Sequence, residues 1–227
     1  MNLPPFLGRT WEALLDSVFP PKCGGCGRVG QWLCDVCRSQ ISYVNIRAVE
    51  PTPKPWDSST LQHAYSIAWF EEPLRTAIHN FKYNGQRALR KPLAQLFLGQ
   101  WEKLKRPTDL LVAVPLHRKR EKERGYNQSY LLASELGHAL QIPAPQNGLR
   151  RVRHTLPQVS LNMEQRWQNV QEAFQGNPAV LGGKSVLLVD DVCTTGATLE
   201  ACARAATQAG ARFVWALTLA RPKASWE

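Results

Sequence analysis

An α/β protein, with a parallel twisted sheet flanked by helices and a small N-terminal four-cysteine zinc module, is the fold this sequence predicts. Three observations carry that expectation. From residue 110 onward, short apolar runs alternate with helical patterns, the signature of strands joined by crossover helices. One run, Val186-Leu187-Leu188-Val189, is apolar at every position, as a parallel strand buried on both faces requires. Four of the six cysteines, Cys23, Cys26, Cys34 and Cys37, are spaced C-x2-C-x7-C-x2-C, two knuckles that bring four thiolates around one tetrahedral ion.

In chain order, Leu7, Trp11, Leu14, Leu15 and Val18 recur at helical spacing, and Pro20-Pro21 ends that helix. The cysteine knuckles follow, with Gly24, Gly25 and Gly27 relieving the tight turn of the first. All four metal-binding positions are cysteine, which points to a closed structural zinc site rather than a catalytic one. A redox Cys-x-x-Cys pair would leave the second knuckle unexplained. Pro51, Pro53 and Pro55 stiffen a linker. The expected organisation is therefore a helix plus zinc-ribbon or knuckle module over 1–50, a linker over 51–60 and a larger domain over 61–227. An edge strand is expected over 64–70, helices over 72–82 and 86–105 separated by Asn84-Gly85, and a strand over 110–114 closed by Pro115. A basic loop then leads to a helix over 127–140. A further helix is expected over 162–174 with Asn162 as N-cap, then the strand 186–189, an Ala-rich helix over 199–208 closed by Gly210, and a last strand over 212–219.

The chain has 227 residues and a formal net charge of +10, a balance that favours phosphorylated small molecules or nucleic acid. Arg118, Lys119, Arg120, Lys122 and Arg124 form one cationic cluster, and Arg150, Arg151 and Arg153 another. No apolar run reaches the roughly 18–20 residues of a membrane span, and the N-terminus lacks the pattern of a signal peptide, so a cytoplasmic protein is expected. Reduced thiols fit that compartment better than a disulfide framework. Cys193 and Cys202 read as small apolar fillers.

The strand 186–189 is followed by Asp190 and Asp191, then Thr194-Thr195-Gly196-Ala197-Thr198, then a helix. Backbone N–H groups and threonine hydroxyls in such a loop surround a phosphate, and the helix dipole favours its charge. Two adjacent carboxylates accept hydrogen bonds from the vicinal hydroxyls of a ribose. An ordinary strand–turn–helix, with the acidic pair merely capping the helix, is the alternative.

This stretch resembles the 5-phosphoribosyl-1-pyrophosphate (PRPP) loop of type I phosphoribosyltransferases. The resemblance implies that Asp190 and Asp191 hold the ribose hydroxyls and that Thr194, Thr195, Gly196 and Thr198 hold the 5′-phosphate, with Mg²⁺ accompanying PRPP. It implies a pyrophosphate-binding element at Arg124 and Gly125, where glycine admits the anion and arginine pairs with its oxygens. It also implies a flap over 151–174, in which Gln158, Arg166 and Asn169 are the polar residues of interest. His154 is a candidate acid or, equally, an ordinary surface histidine, and Arg124, Arg166 and His154 are the candidate catalytic groups. Three features occur together: the four-cysteine module, the segment Val114-Pro115-Leu116 leading to Arg124-Gly125-Tyr126-Asn127-Gln128-Ser129, and Thr155-x-x-Gln158-x-x-Leu161 leading to Arg166-x-x-Asn169-Val170 and Ala173-Phe174. That combination resembles the bacterial ComF (GntX-like) family over roughly residues 10–221.

Membership would imply a role in natural competence: handling imported single-stranded DNA together with helicase or DNA-processing partners, around a PRPP or phosphorylated-ribose site. The alternative is an active Mg²⁺-dependent phosphoribosyltransferase of nucleotide salvage or synthesis acting on an unidentified base. No base-recognising hood and no N-terminal nucleophilic cysteine for glutamine hydrolysis stand out, so the fold alone leaves turnover open. In the first reading the basic segments touch DNA, and Tyr126 and Trp167 are candidates to stack bases or, more simply, to pack in the core.

Overall fold

The computed structural model describes residues 20–45, 60–104, 106–152 and 173–223. They fall into two compact units. One unit runs Met1–Ile41 together with Glu72–Leu89, and the other Ser42–Glu71 together with Arg90–Glu227. The helix expected over 6–18 lies outside the described residues, as does the linker over 51–60 except at Thr60. The units divide elsewhere: the segment 72–89, which the sequence assigns to the larger domain, groups with the cysteines.

In the smaller unit the first knuckle is a tight turn. Gly27 adopts φ 76°, and its N–H donates to the Cys23 carbonyl at 2.8 Å. The second knuckle opens helix α1 (Asp35–Ser39), with Cys34 at its N-cap and Cys37 buried within it. Gly24 and Gly25 are needed for close approach rather than for the turn. A Cβ on Gly24 would meet the Leu89 side chain at 2.7 Å, and one on Gly25 would meet Cys37 Sγ at 2.9 Å and Pro73 Cβ at 3.0 Å. The knuckle thus sits against helix α2 (Leu74–Tyr83) and the 3-10 turn Arg87–Leu89, where Asn80 Nδ2 donates to the Gly24 carbonyl at 2.7 Å.

The larger unit is built on a four-stranded parallel sheet. Its strands are β1 (His63–Trp69), β2 (Leu110–Ala113), β5 (Ser185–Val192) and β6 (Phe213–Arg221), in the order β1-β6-β5-β2. Side chains alternate across a strand. Val186 and Leu188, with Val112, Val214 and Ala216, face helix α7 (Ala197–Gln208) and form one core with Leu199, Cys202, Ala203 and Ala206. The alternate residues Leu111, Leu187, Trp215 and Leu217 are fully buried on the other face. There helix α3 (Arg90–Leu104) brings Trp101 to 5.9 Å from Trp215, and helix α5 (Gln128–Leu140) contributes Leu132 and Leu136. Burial on both faces explains why β5 reads as an unbroken apolar run.

The structure corrects several expectations. Strand β5 does not stop at Val189; pairing with β6 continues through Asp190↔Thr218 to Val192↔Ala220, so the acidic pair occupies the last rungs of the ladder. The basic loop after β2 is instead helix α4 (Arg118–Arg124). Arg, Lys and Glu are good helix formers. The His117 ring caps the helix by accepting from Lys119 N at 3.2 Å, and Gly125 at φ 79° closes it. Two short strands, β3 (Leu149–Arg151) and β4 (Phe174–Gly176), pair antiparallel into a ribbon. Phe174 is therefore a strand residue and not the end of the helix expected over 162–174, the rest of which lies outside the described residues apart from Ala173. A Cβ on Gly176 would meet the Ala205 carbonyl at 2.5 Å, so glycine lets the ribbon lie directly on α7. Helix α6 (Pro178–Leu181), capped by Asn177, then leads into β5. Among the described residues no helix is long and apolar enough to cross a membrane.

Candidate functional site

Cys23, Cys26, Cys34 and Cys37 place their sulfurs within 4.8 Å of one another, and Cys26 Sγ lies 3.7 Å from Cys34 Sγ. Tetrahedral Zn–S bonds of about 2.3 Å put sulfurs roughly 3.8 Å apart, so the cluster fits a zinc ion. Burial raises the Cys23 thiol, but backbone N–H groups of Cys34, Cys26 and Gly25 outweigh it and hold it down to about 6, which favours the ligating thiolate. Burial, followed by the neighbouring sulfurs of Cys26, Cys23 and Cys34, pushes Cys37 strongly up. None of the six cysteines is in a disulfide.

In open parallel sheets, ligands bind beyond the carboxyl ends of the strands. At that edge, β5 ends in a half-buried Asp190 and a buried Asp191, 3% exposed. The loop that follows is anchored by Cys193 N donating to the Ala220 carbonyl at 2.9 Å. Thr194, Thr195 and Thr198 are half-buried. Gly196 is buried at φ 76° and forms the N-cap of α7 with no side-chain cap of its own. That left-handed backbone favours glycine, and the arrangement points the first-turn amides of a twelve-residue helix toward the loop. Glu200, also in the first turn, is 1% exposed and accepts from Thr60 Oγ1. Burial, with Asp190 next, pushes Cys193 up to about 12, and burial raises Cys202 well above an ordinary thiol. Both are protonated fillers rather than nucleophiles.

The segment after β2 approaches the same edge. Arg124 ends α4 and donates through Nη1 to Gln128 Oε1, while Gly125 serves as the left-handed C-cap. Tyr126 is 7% exposed and so packs in the core rather than offering a stacking face. Asn127 caps α5, accepting from Ser129 N at 3.0 Å and Tyr130 N at 3.3 Å, and its Nδ2 donates to the Val114 carbonyl at 3.1 Å. Ser129 Oγ donates to Asp190 Oδ1 at 2.6 Å, and Asp191 N donates to the same oxygen at 2.9 Å. The structure thus joins the Arg124–Ser129 segment directly to Asp190.

Three further arginines lie outside the glycine-rich and acidic motifs. Arg151 ends β3 with its guanidinium 5.4 Å from the centre of the Phe174 ring. Burial and then the Arg120 guanidinium lower its proton affinity, while Cys202 and Asp190 oppose them. Arg150, exposed beside it, donates twice to Gln175 Oε1, at 3.0 and 2.6 Å, across the ribbon. Arg221, at the end of β6 and 3% exposed, stacks 4.8 Å above the Trp69 ring. The sequence shows Arg150 and Arg151 only as part of a charge cluster, and Arg221 not at all; a map of strand ends is what places them. His154, Gln158, Arg166, Trp167 and Asn169 lie outside the described residues.

Comparison with known proteins agrees with this architecture. A phosphoribosyl transferase domain matches residues 127–227. Competence protein F of Haemophilus influenzae is 33% identical over 208 residues, which cover 88% of this chain and 85% of that protein. DNA utilization protein YhgH of Escherichia coli K12 is 30% identical over 207 residues, covering 88% of each chain. Competence protein ComFC of Bacillus subtilis is 29% identical over 202 residues, covering 88% of this chain and 77% of that protein.

Proposed function

This chain belongs to the ComF family, and from that premise we propose that it binds the phosphoribosyl group of PRPP at the carboxyl edge of its sheet while serving DNA utilisation during competence in the cytoplasm. The observation that carries the reading is the juxtaposition of Asp190, Asp191 and the Thr194–Thr198 loop at the start of α7. The two carboxylates would accept from the ribose hydroxyls, and the α7 amides and threonine hydroxyls would hold the 5′-phosphate. Arg124, beside Gly125 at the end of α4, would face the pyrophosphate together with Arg151. Mg²⁺, where bound with PRPP, would neutralise diphosphate charge. In the smaller unit, the four cysteines would hold a structural zinc.

If the protein turns PRPP over, these residues act by holding the sugar and offsetting the charge of the departing pyrophosphate. No protein nucleophile is needed, and Cys193 and Cys202, both raised, supply none. Calorimetric titration of the full chain with PRPP is expected to give saturable heat with Mg²⁺ and much less without it. A flat titration under both conditions removes the reading.

A second observation favours a nucleic-acid contact. Five of the seven residues of α4 are cationic, and none is buried. Single strands are held by such phosphate-directed charge, and helicase or DNA-processing proteins are the natural partners of a protein so engaged. Reversing the charge at Arg118, Arg120 and Lys122 is expected to weaken single-stranded DNA binding regardless of base sequence. The salt slope should flatten by up to about 0.7 for each phosphate no longer neutralised. Unchanged affinity and slope would take α4 out of that role.

A further inference from the structure

We infer that Ser129 is the positioning residue of the ribose site: its hydroxyl fixes the Asp190 carboxylate for the sugar, and with Asn127 it straps the end of β2 to the end of β5. The inference rests on the phosphoribosyl reading above and extends it to residues outside the PRPP loop. The geometry is specific. Ser129 is fully buried, and its Oγ lies 2.6 Å from Asp190 Oδ1 although the two residues are 61 positions apart. Asp191 N approaches the same oxygen at 2.9 Å, so two donors from two elements fix the carboxylate in plane and rotation. A carboxylate has about four acceptor positions, so it can serve Ser129 and a sugar hydroxyl together.

Ser129 itself is held by the cap of its own helix. Asn127 Oδ1 accepts from Ser129 N at 3.0 Å, and Asn127 Nδ2 reaches back to the Val114 carbonyl at 3.1 Å. Val114 N in turn donates to the Val189 carbonyl at 3.0 Å, one residue before Asp190. The result is a closed circuit: Val114, Asn127, Ser129, Asp190 and back through β5. Because Arg124 is tied to Gln128 in the same first turn of α5, the segment facing the leaving group and the carboxylate facing the sugar move as one body. A helix-capping serine would need only a local partner; this one commits its hydroxyl to the ribose acid.

The test uses the full chain and calorimetry with Mg²⁺ and either ribose 5-phosphate or PRPP. Ser129→Ala is expected to weaken both ligands roughly tenfold to a hundredfold, the range set by losing a hydrogen bond to an ionised group. Where the alanine variant folds poorly, Ser129→Cys, a somewhat larger side chain that fills the buried site but donates only weakly, serves instead and should lose affinity in the same direction. In an Asp190→Ala background, which leaves Ser129 Oγ no side-chain oxygen at that position to orient, the Ser129→Ala change should cost almost nothing. Removing a donor from an ionised carboxylate raises its pKa. The acid-side loss of ribose 5-phosphate affinity should therefore begin at higher pH in Ser129→Ala. The titratable and charged neighbours Asp191, Arg151, Cys193 and Cys202 stay common to both proteins, and a purely structural serine would not move that profile. Equal affinities and superimposed pH profiles in wild type and Ser129→Ala overturn the inference while leaving the phosphoribosyl reading intact. Absence of ribose 5-phosphate and PRPP binding in the wild type overturns both.

Discussion

Replacing Asp190 and Asp191 together by alanine should abolish measurable PRPP binding while leaving the fold in place. Each carboxylate would lose a charge-assisted hydrogen bond to a ribose hydroxyl, worth about 1.5–3 kcal/mol. Losing both corresponds to roughly a hundredfold to ten-thousandfold in affinity. The fold should survive because Asp191 is 3% exposed, and a buried carboxylate is costly to desolvate unless its partners compensate. The same substitutions remove Ser129's partner, so one buried hydroxyl is left to find another acceptor, a cost of about 1–3 kcal/mol. Calorimetry read beside a thermal melt separates the two effects. A dissociation constant within twofold of wild type would mean that the acidic pair faces no sugar.

Stripping the zinc proposed for the four-cysteine cluster is expected to unfold the smaller unit. Structural zinc in such clusters contributes about 10–16 kcal/mol of apparent binding free energy, comparable with the entire stability of a typical domain, about 5–15 kcal/mol. The apolar core within residues 20–41 is small: Leu33 and Ile41 are buried there beside Cys23, Cys34 and Cys37. Gly24 and Gly25 pack on Leu89, Pro73 and Cys37, and Asn80 bonds to the Gly24 carbonyl, so the loss should spread to α2. Amide hydrogen exchange after chelation, or in Cys34→Ser, should therefore rise over both 20–41 and 74–83. Elemental analysis should find about one zinc per chain beforehand. Full protection over 74–83 after complete metal removal would show that the helix stands without the knuckle.

Much of this was legible in the residues because the deciding physics is local. An apolar run buried on both faces reads the same wherever it lies, so β5 stands out, and four cysteines in two knuckles leave few chemistries open. The helix α4 was hidden by its composition: seven charged residues suggest a solvated loop, although Gly125 marks the stop. The ribbon β3–β4 was hidden by length, since each three-residue strand has one buried residue, Leu149 or Phe174, too few to show a period. Ser129 was hidden by ordinariness. A serine in the first turn of a helix usually bonds its own backbone, and only the approach of β5 from 61 residues away gives it another partner. The companionship of the knuckle and α2 rests on two missing Cβ atoms, which no pattern of hydropathy records.

The packing of Gly24 against Leu89 bears on how this polypeptide is made. The thiolates leave the ribosome well ahead of the helix they must lean on, with the first strand of the sheet synthesised in between. A fragment cut at residue 60 would carry every sulfur of the cluster and still lack the scaffold that shapes the nest around them. Excised in that way it should capture metal weakly and aggregate, whereas a piece reaching residue 89 contains the whole of its own foundation.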